Sequence, residues 1–191
     1  MPRVNAKGKW NLKMSPDEWY WNEDPWKVKN NKEEKKKTMF ISTLIEDRKG
    51  YGCDIGCGEG HSTVEYWIRK ENMVDVDCST MAIARATDKH RPLEKLSFRP
   101  LDISKYYIMH EFSTIILSEV LYYIRPDKWK HVADNIYKML YENGQLIVSV
   151  GQYFTEADIR KIFKKIDFDK VYKLPSKKYE YNLIMSGHYV G

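Results

Sequence analysis

Short apolar runs alternate along this chain with longer stretches whose apolar residues recur at helical spacing. Met73-Val74-Asp75-Val76-Asp77 reads as a strand, as do Leu96 to Leu101, Phe112 to Glu119 and Gln145 to Val150. A further short apolar run leads into Cys53 and supplies the first strand. Pro126-Asp127 opens a helix that runs to about Tyr141, with Trp129, Val132, Ile136, Met139 and Leu140 on one side. Asn143-Gly144 closes it. Thr155 as N-cap, with Asp158 at the third helical position, predicts a helix over 155–166. Two strands, about 167–174 and 180–190, end the chain as a hairpin. Strands and helices in this alternation predict an α/β fold: a Rossmann-like, seven-stranded, mostly parallel sheet with helices on both faces and a C-terminal antiparallel hairpin strand.

Before the sheet come two other stretches. Residues 31–48 carry Met39, Phe40, Leu44 and Ile45 at helical spacing. Residues 1–30 hold Trp10, Trp19, Tyr20, Trp21 and Trp26 without a sustained period, so they read as an irregular arm or lid ahead of a single domain over 31–191. Such rings either staple an arm to a core or roof a binding site. Aromatic faces attract cations and stack on sugar rings.

The chemistry concentrates at Cys53-Asp54-Ile55-Gly56-Cys57-Gly58-Glu59-Gly60, which has the form D-x-G-x-G-x-G between a strand and a stretch that can be helical. Alternating glycines let a backbone approach a ligand closely, and the N–H groups opening a following helix point toward it. Asp54 would repel a pyrophosphate on the same turn and suits a ligand with positive charge. The dinucleotide fingerprint G-x-G-x-x-G fails, because counting from Gly56 its third glycine falls on His61. No G-x-x-x-x-G-K-[ST] phosphate loop is present.

Acids recur where the next strands end. Asp77 follows Gly56 at close to the ~20-residue spacing at which a carboxylate meets ribose hydroxyls. Asp102 and Glu119 end the third and fourth strands. Ligands of open α/β sheets sit outside the carboxyl ends of the strands, so Asp54, Asp77, Asp102 and Glu119 would share one rim.

This set of residues resembles the class I S-adenosylmethionine-dependent methyltransferases over roughly Gly50 to Val150. The resemblance implies that Asp54, Gly56, Cys57, Gly58 and Gly60 wrap the methionine part of the cofactor S-adenosyl-L-methionine. It puts Asp77 and Cys78 at the ribose, Asp102 and Ile103 at the adenine edge, and Ser118 and Glu119 where cofactor and acceptor meet. A narrower resemblance rests on Asp24-Pro25-Trp26 before a charged helix and on Ser118-Glu119-Val120-Leu121-Tyr122-Tyr123. These words are similar to the nodulation-protein S type, which N-methylates the amino sugar of a chito-oligosaccharide. It implies a small-molecule or glycan acceptor, with Trp26 beside the cofactor. The expected chemistry is direct displacement at the sulfonium methyl, driven mainly by positioning. Glu119 is then the first candidate for general base and Tyr122 for orienting the acceptor. His61 is expected at the start of the first helix, as a polar residue near its N-terminus.

Composition narrows the partners. Net charge is +5 at pI about 8.9, which allows a nucleic-acid partner without favouring one. No Asn/Asp-Pro-Pro-Tyr follows the fourth strand, which lowers amino methylation of nucleic-acid bases or protein glutamine. A nucleic-acid or protein methyltransferase, and a non-catalytic cofactor-binding protein, stay as alternatives. The run Glu33-Glu34-Lys35-Lys36-Lys37 reads as a solvated helix face with Glu33 reaching Lys37 at i,i+4. Lys161, Lys164, Lys165 and Lys170 read as surface. Cys53, Cys57 and Cys78 are an odd number without zinc spacing, so no metal is expected and reduced thiols fit a cytoplasmic setting. No apolar run approaches a membrane span and the first residues lack a signal-peptide core. Oligomeric state has no signature here.

Overall fold

The computed structural model describes residues 15–46, 49–70, 72–177 and 180–191. Its centre is a seven-stranded sheet in the order β3-β2-β1-β4-β5-β7-β6. The strands are β1 (Tyr51–Ile55), β2 (Asn72–Asp77), β3 (Leu96–Pro100), β4 (Phe112–Ser118), β5 (Leu140–Gly151), β6 (Ile166–Pro175) and β7 (Tyr181–Tyr189). The first five pair in parallel, while β7 runs antiparallel to both β5 and β6. The expected fold class is the observed one.

Side chains alternate across a strand, so each central strand feeds two cores. Ile115 and Leu117 pack on one face with Leu146, Val148, Leu183 and Met185. Ile116, Ile147 and Ile184 pack on the other. The first face is covered by α5 (Trp129–Met139) and α6 (Glu156–Ile162), through Val132, Ile136 and Ile159. The second is covered by α2 (Lys32–Thr43) and α3 (Thr63–Trp67), with Ile41 and Tyr66 inward. The remaining helices are α1 (Pro16–Trp19) and α4 (Thr80–His90). Capping marks several starts: Asn31 accepts from Glu33 N and Glu34 N, and Thr155 forms the expected capping box with Asp158.

Several expectations need correction. The arm read as irregular contains one helical turn, α1, started by Ser15 in a capping box with Glu18. Trp10 lies outside the described residues. The helix expected to about Glu46 ends at Thr43, and Met39 faces solvent while Ile41 is buried. The helix after the glycine loop starts at Thr63, so His61 sits in the loop rather than at the helix start. The helix expected to Tyr141 stops at Met139, after a 3-10 turn over Pro126–Lys128. Strand β5 begins at Leu140, and Asn143, in the left-handed region at φ 61°, sits in a bulge rather than at a helix end. Pairing there jumps from Phe112–Leu140 to Thr114–Gln145. The helix expected over 155–166 ends at Ile162 because Ile166 already pairs in β6.

A second bulge shapes the C-terminal hairpin, where pairing with β7 shifts between Asp167 and Lys170. Gly187 lies opposite it, and a Cβ there would stand 2.1 Å from the Asp167 carbonyl oxygen. We expect Gly187→Ala to lower stability by about 1–3 kcal/mol, the cost of overpacking against fixed backbone. Urea unfolding reads this, and an unchanged midpoint would contradict the contact.

Candidate active site

The carboxyl ends of β1, β2 and β4 open onto a cavity of about 480 Å³. The glycine loop forms one wall, and backbone hydrogen bonds set its path. The Val76 carbonyl accepts from Gly56 N at 2.7 Å and Cys57 N at 3.1 Å. Asp77 Oδ2 accepts from Gly58 N at 2.9 Å while its Oδ1 accepts from Ser79 N at 2.8 Å. Gly56 and Gly58 have φ of 81° and 55°, which disfavours any other residue. A Cβ at these positions would stand 2.4 Å from Val120 Cγ2 and 2.7 Å from the Tyr20 hydroxyl. The close neighbours of the two glycines thus include side chains of this protein.

Among the described residues acids dominate the lining: Asp24, Glu34, Asp54, Glu59, Asp77 and Glu119, with Lys37 and His61 as the basic ones. Beside Asp54 on β2 lies Asp75, fully buried, accepting from Asp54 N at 3.1 Å and from Thr63 Oγ1 at 2.7 Å. Burial raises the pKa of Asp54 well above the ordinary range, and the neighbouring charges of Asp75 and Asp77 push it the same way. Burial also pushes Asp75 up, to about 7, against the hydrogen bonds from Thr63 and the Asp54 amide. Asp77 is raised by burial too, with its backbone hydrogen bonds opposing.

The arm is docked on the rim by polar contacts. Asp17 accepts from Ser79 Oγ at 2.7 Å, Thr80 Oγ1 at 3.0 Å and Met81 N at 3.1 Å, placing an anion at the N-terminus of α4. Glu59 accepts from Asp24 N at 2.9 Å and pairs with Arg85 at 2.7 Å. Trp19 and Trp26 each pack on Tyr123, with ring centroids 5.4 and 5.3 Å away. The buried Trp19 Nε1 has no hydrogen-bond partner among the described residues.

Across the cavity, Glu119 sits in the left-handed region at φ 60°, its N–H donating to the Ser149 carbonyl at 2.8 Å. Ser149 Oγ lies 3.3 Å from its Oε1. Lys37, only 3% exposed, pairs with Glu34 at 2.7 Å and with Glu119 at 3.4 Å. This corrects the reading of residues 33–37 as a solvated face: Lys37 turns inward, and Glu33 instead accepts from Lys177 N.

The structure therefore gathers Asp54, Gly56, Cys57, Gly58, Asp77, Cys78, Ser118, Glu119, Tyr122 and Trp26 around one cavity. The Tyr122 hydroxyl accepts from the Gly151 amide. Gly60, Asp102 and Ile103 are not among its lining residues. The Gly60 carbonyl meets His90 Nε2 at 2.8 Å, and the Ile103 carbonyl accepts from Asn135 Nδ2 at 2.8 Å. Asp102 pairs with Lys105 and accepts from Ser104, and these bonds hold its pKa low although partial burial pushes it up. Pattern reading missed Tyr20, Lys37, Asp75 and the Glu59–Arg85 pair. Asp75 had a signal, an acid inside a strand between Val74 and Val76. Lys37 had none, standing last among like charges.

The strand order, the glycine loop and the acid-lined cavity together define a class I S-adenosylmethionine-dependent methyltransferase fold. The chain belongs to the nodulation protein S family, whose model, Nodulation protein S (NodS), matches residues 19–157. It is 28% identical over 127 residues to nodulation protein S of Azorhizobium caulinodans, a match covering 65% of this chain and 61% of that protein. It is 23% identical over 128 residues to the Rhizobium tropici protein, covering 65% and 54%. The match thus spans little more than half the length of these curated relatives. Among solved structures, N-methyltransferase NodS from Bradyrhizobium japonicum with S-adenosyl-l-homocysteine superimposes at TM-score 0.80 and 21% identity, covering 90% of this chain and 94% of that one. Magnesium protoporphyrin IX methyltransferase from Synechocystis with bound SAM gives 0.72 and 16%, covering 91% and 94%. At these identities the likeness carries the fold. No helix among the described residues is long and apolar enough to cross a membrane.

The raised carboxyls give a test that needs no ligand. A buried acid whose folded pKa exceeds its unfolded value favours the folded state at low pH, and this is lost as pH rises through the window between the two. For Asp75 that window runs from its ordinary 3.8 to about 7. We expect wild type to lose stability relative to the neutral Asp75→Asn across that range in calorimetric melts. A gap that stays constant with pH would rule the buried acid out as its source.

Proposed function

We propose that this protein is an S-adenosylmethionine-dependent methyltransferase acting on a nitrogen or oxygen of a small-molecule or glycan acceptor, an amino sugar being the first candidate. The observation that carries the reading is the acid-rich cavity walled by the glycine loop, where the described lining residues include six acids and two basic side chains. Such a lining repels a phosphate-bearing ligand and attracts a cationic one. When bound, S-adenosylmethionine supplies a methyl group activated by a sulfonium charge.

The residues divide the work. Asp77 holds one backbone N–H on each carboxylate oxygen. Each oxygen keeps acceptor capacity for a ribose hydroxyl. Asp54 offers its carboxyl to the cofactor's cationic end, with Gly56, Cys57, Gly58 and Gly60 shaping the turn and Cys78 bordering the ribose. Asp102 and Ile103 serve the adenine edge from beyond the cavity described. Ser118 and Glu119 end β4 at the acceptor side, with Trp26 and Tyr122 walling it. The unpartnered Trp19 N–H is a donor that an acceptor oxygen would satisfy. Rate enhancement then comes mainly from holding acceptor and methyl in line, with Glu119 as the first candidate to remove a proton. The family match and the named N-methyltransferase among the structural neighbours support an amine acceptor.

Calorimetric titration with S-adenosylmethionine, S-adenosylhomocysteine and NAD tests the cofactor. We expect the two sulfur compounds to bind and NAD not to. Asp77→Ala should weaken their binding by about 1–3 kcal/mol, roughly 5- to 150-fold, the scale of lost charge-assisted hydrogen bonds. Folded protein that binds neither sulfur compound would end the reading. Equal affinity in a folded Asp77→Ala variant would remove Asp77 from the site.

A further inference from the structure

A lysine seldom lies 97% shielded from solvent without a task, because burying an ammonium costs several kcal/mol unless it is paired. Lys37 does so on α2, at 3% exposure. It bridges two carboxylates that approach from different parts of the chain: Glu34 at 2.7 Å, one turn back on its own helix, and Glu119 at 3.4 Å, at the end of β4. All three line the cavity. Burial alone would lower its pKa, yet Glu119 and Glu34 outweigh that effect and raise it, so the group is an ammonium.

Its partner is held in an uncommon way. A non-glycine residue in the left-handed region is strained and persists only where its surroundings fix it. Glu119 is in that region, fixed by its N–H to the Ser149 carbonyl and by the contact of its Oε1 with Ser149 Oγ. Lys37 adds a contact from α2.

We propose that Lys37 is a positioning residue for methyl transfer, holding the Glu119 carboxylate in the cavity in the orientation that receives the acceptor's N–H or O–H. This rests on the methyltransferase reading of the site and adds a residue to it. Lys37 acts through Glu119, and its removal affects the acceptor step and leaves cofactor binding nearly intact.

Two measurements test this. The first is crystallography of wild type and Lys37→Met, each soaked with S-adenosylhomocysteine, with calorimetry of that compound alongside. We expect affinity within about threefold of wild type and a Glu119 side chain turned away from its place in the cavity. The second is turnover, using D-glucosamine and partly deacetylated chitotetraose as probe acceptors. We expect kcat to fall about 100-fold in Lys37→Met with the cofactor KM nearly unchanged, and Lys37→Arg to recover most of the loss. The double variant Lys37→Met/Glu119→Gln should be no slower than Glu119→Gln alone, since one residue works through the other. Additive losses, or a Glu119 that keeps its place in Lys37→Met, would overturn the proposal. If Lys37→Met does not fold, the Lys37→Arg crystal and turnover decide it: Glu119 must stay in place and activity must persist. Failure of wild type to bind S-adenosylhomocysteine would count against the methyltransferase reading itself, while the position of Glu119 in the variant crystals would still decide what Lys37 holds.

Discussion

Everything at this site depends on how the end of β2 holds the glycine loop. One carbonyl, Val76 O, takes two successive loop N–H groups, and the next residue's carboxylate takes a third from Gly58. Buried backbone donors must find acceptors, and a loop turning back over a parallel sheet has few available. Strand β2 offers them at its carboxyl end, so loop and strand fix each other. The same carboxylate also receives Ser79 N, at the start of α4. A single acid thereby ties the loop to the next helix and defines the cavity's edge.

Around that anchor the protein buries more negative charge than its basic composition suggests. Asp54 and Asp75 lie side by side on the paired strands β1 and β2, and their raised pKa values express the cost of desolvating two acids together. A positive charge beside them would relieve that repulsion. Elsewhere the charge is compensated from within. Arg85 neutralises Glu59, and Lys37 stands between Glu34 and Glu119. The arm uses the same groups, since Asp24 docks on Glu59 and Asp17 docks on the start of α4. Closing the cavity and balancing its charges are therefore one arrangement.

Much of this was legible in the linear pattern. Alternating apolar runs gave the seven strands, with β5 starting earlier than expected, and the glycine loop and Asp77 fall on one cavity. Helix ends were less legible. Asn143-Gly144 looks like a helix stop because its residues suit left-handed backbone, but a bulge in β5 uses the same conformation. The sequence also marks Met39 and Phe40 as apolar on α2, whereas the buried face carries Lys37, Thr38 and Ile41. A lysine is a poor candidate for burial until the carboxylate that meets it is known.

The chain by itself determined the fold class, the strand ends and the acids placed there, because period, turn residues and spacing are local properties. Only the tertiary structure decided which side chains face one another. Glu119 lies far along the chain from Lys37, and Asp17 far from Ser79, yet each pair is in contact. Asp102 lies past Pro100, where β3 ends, and is engaged locally by Ser104 and Lys105; it is not among the described residues that line the cavity. Charge partners are chosen by the packing of helices and arm against the sheet, and no repeat along the sequence records that choice.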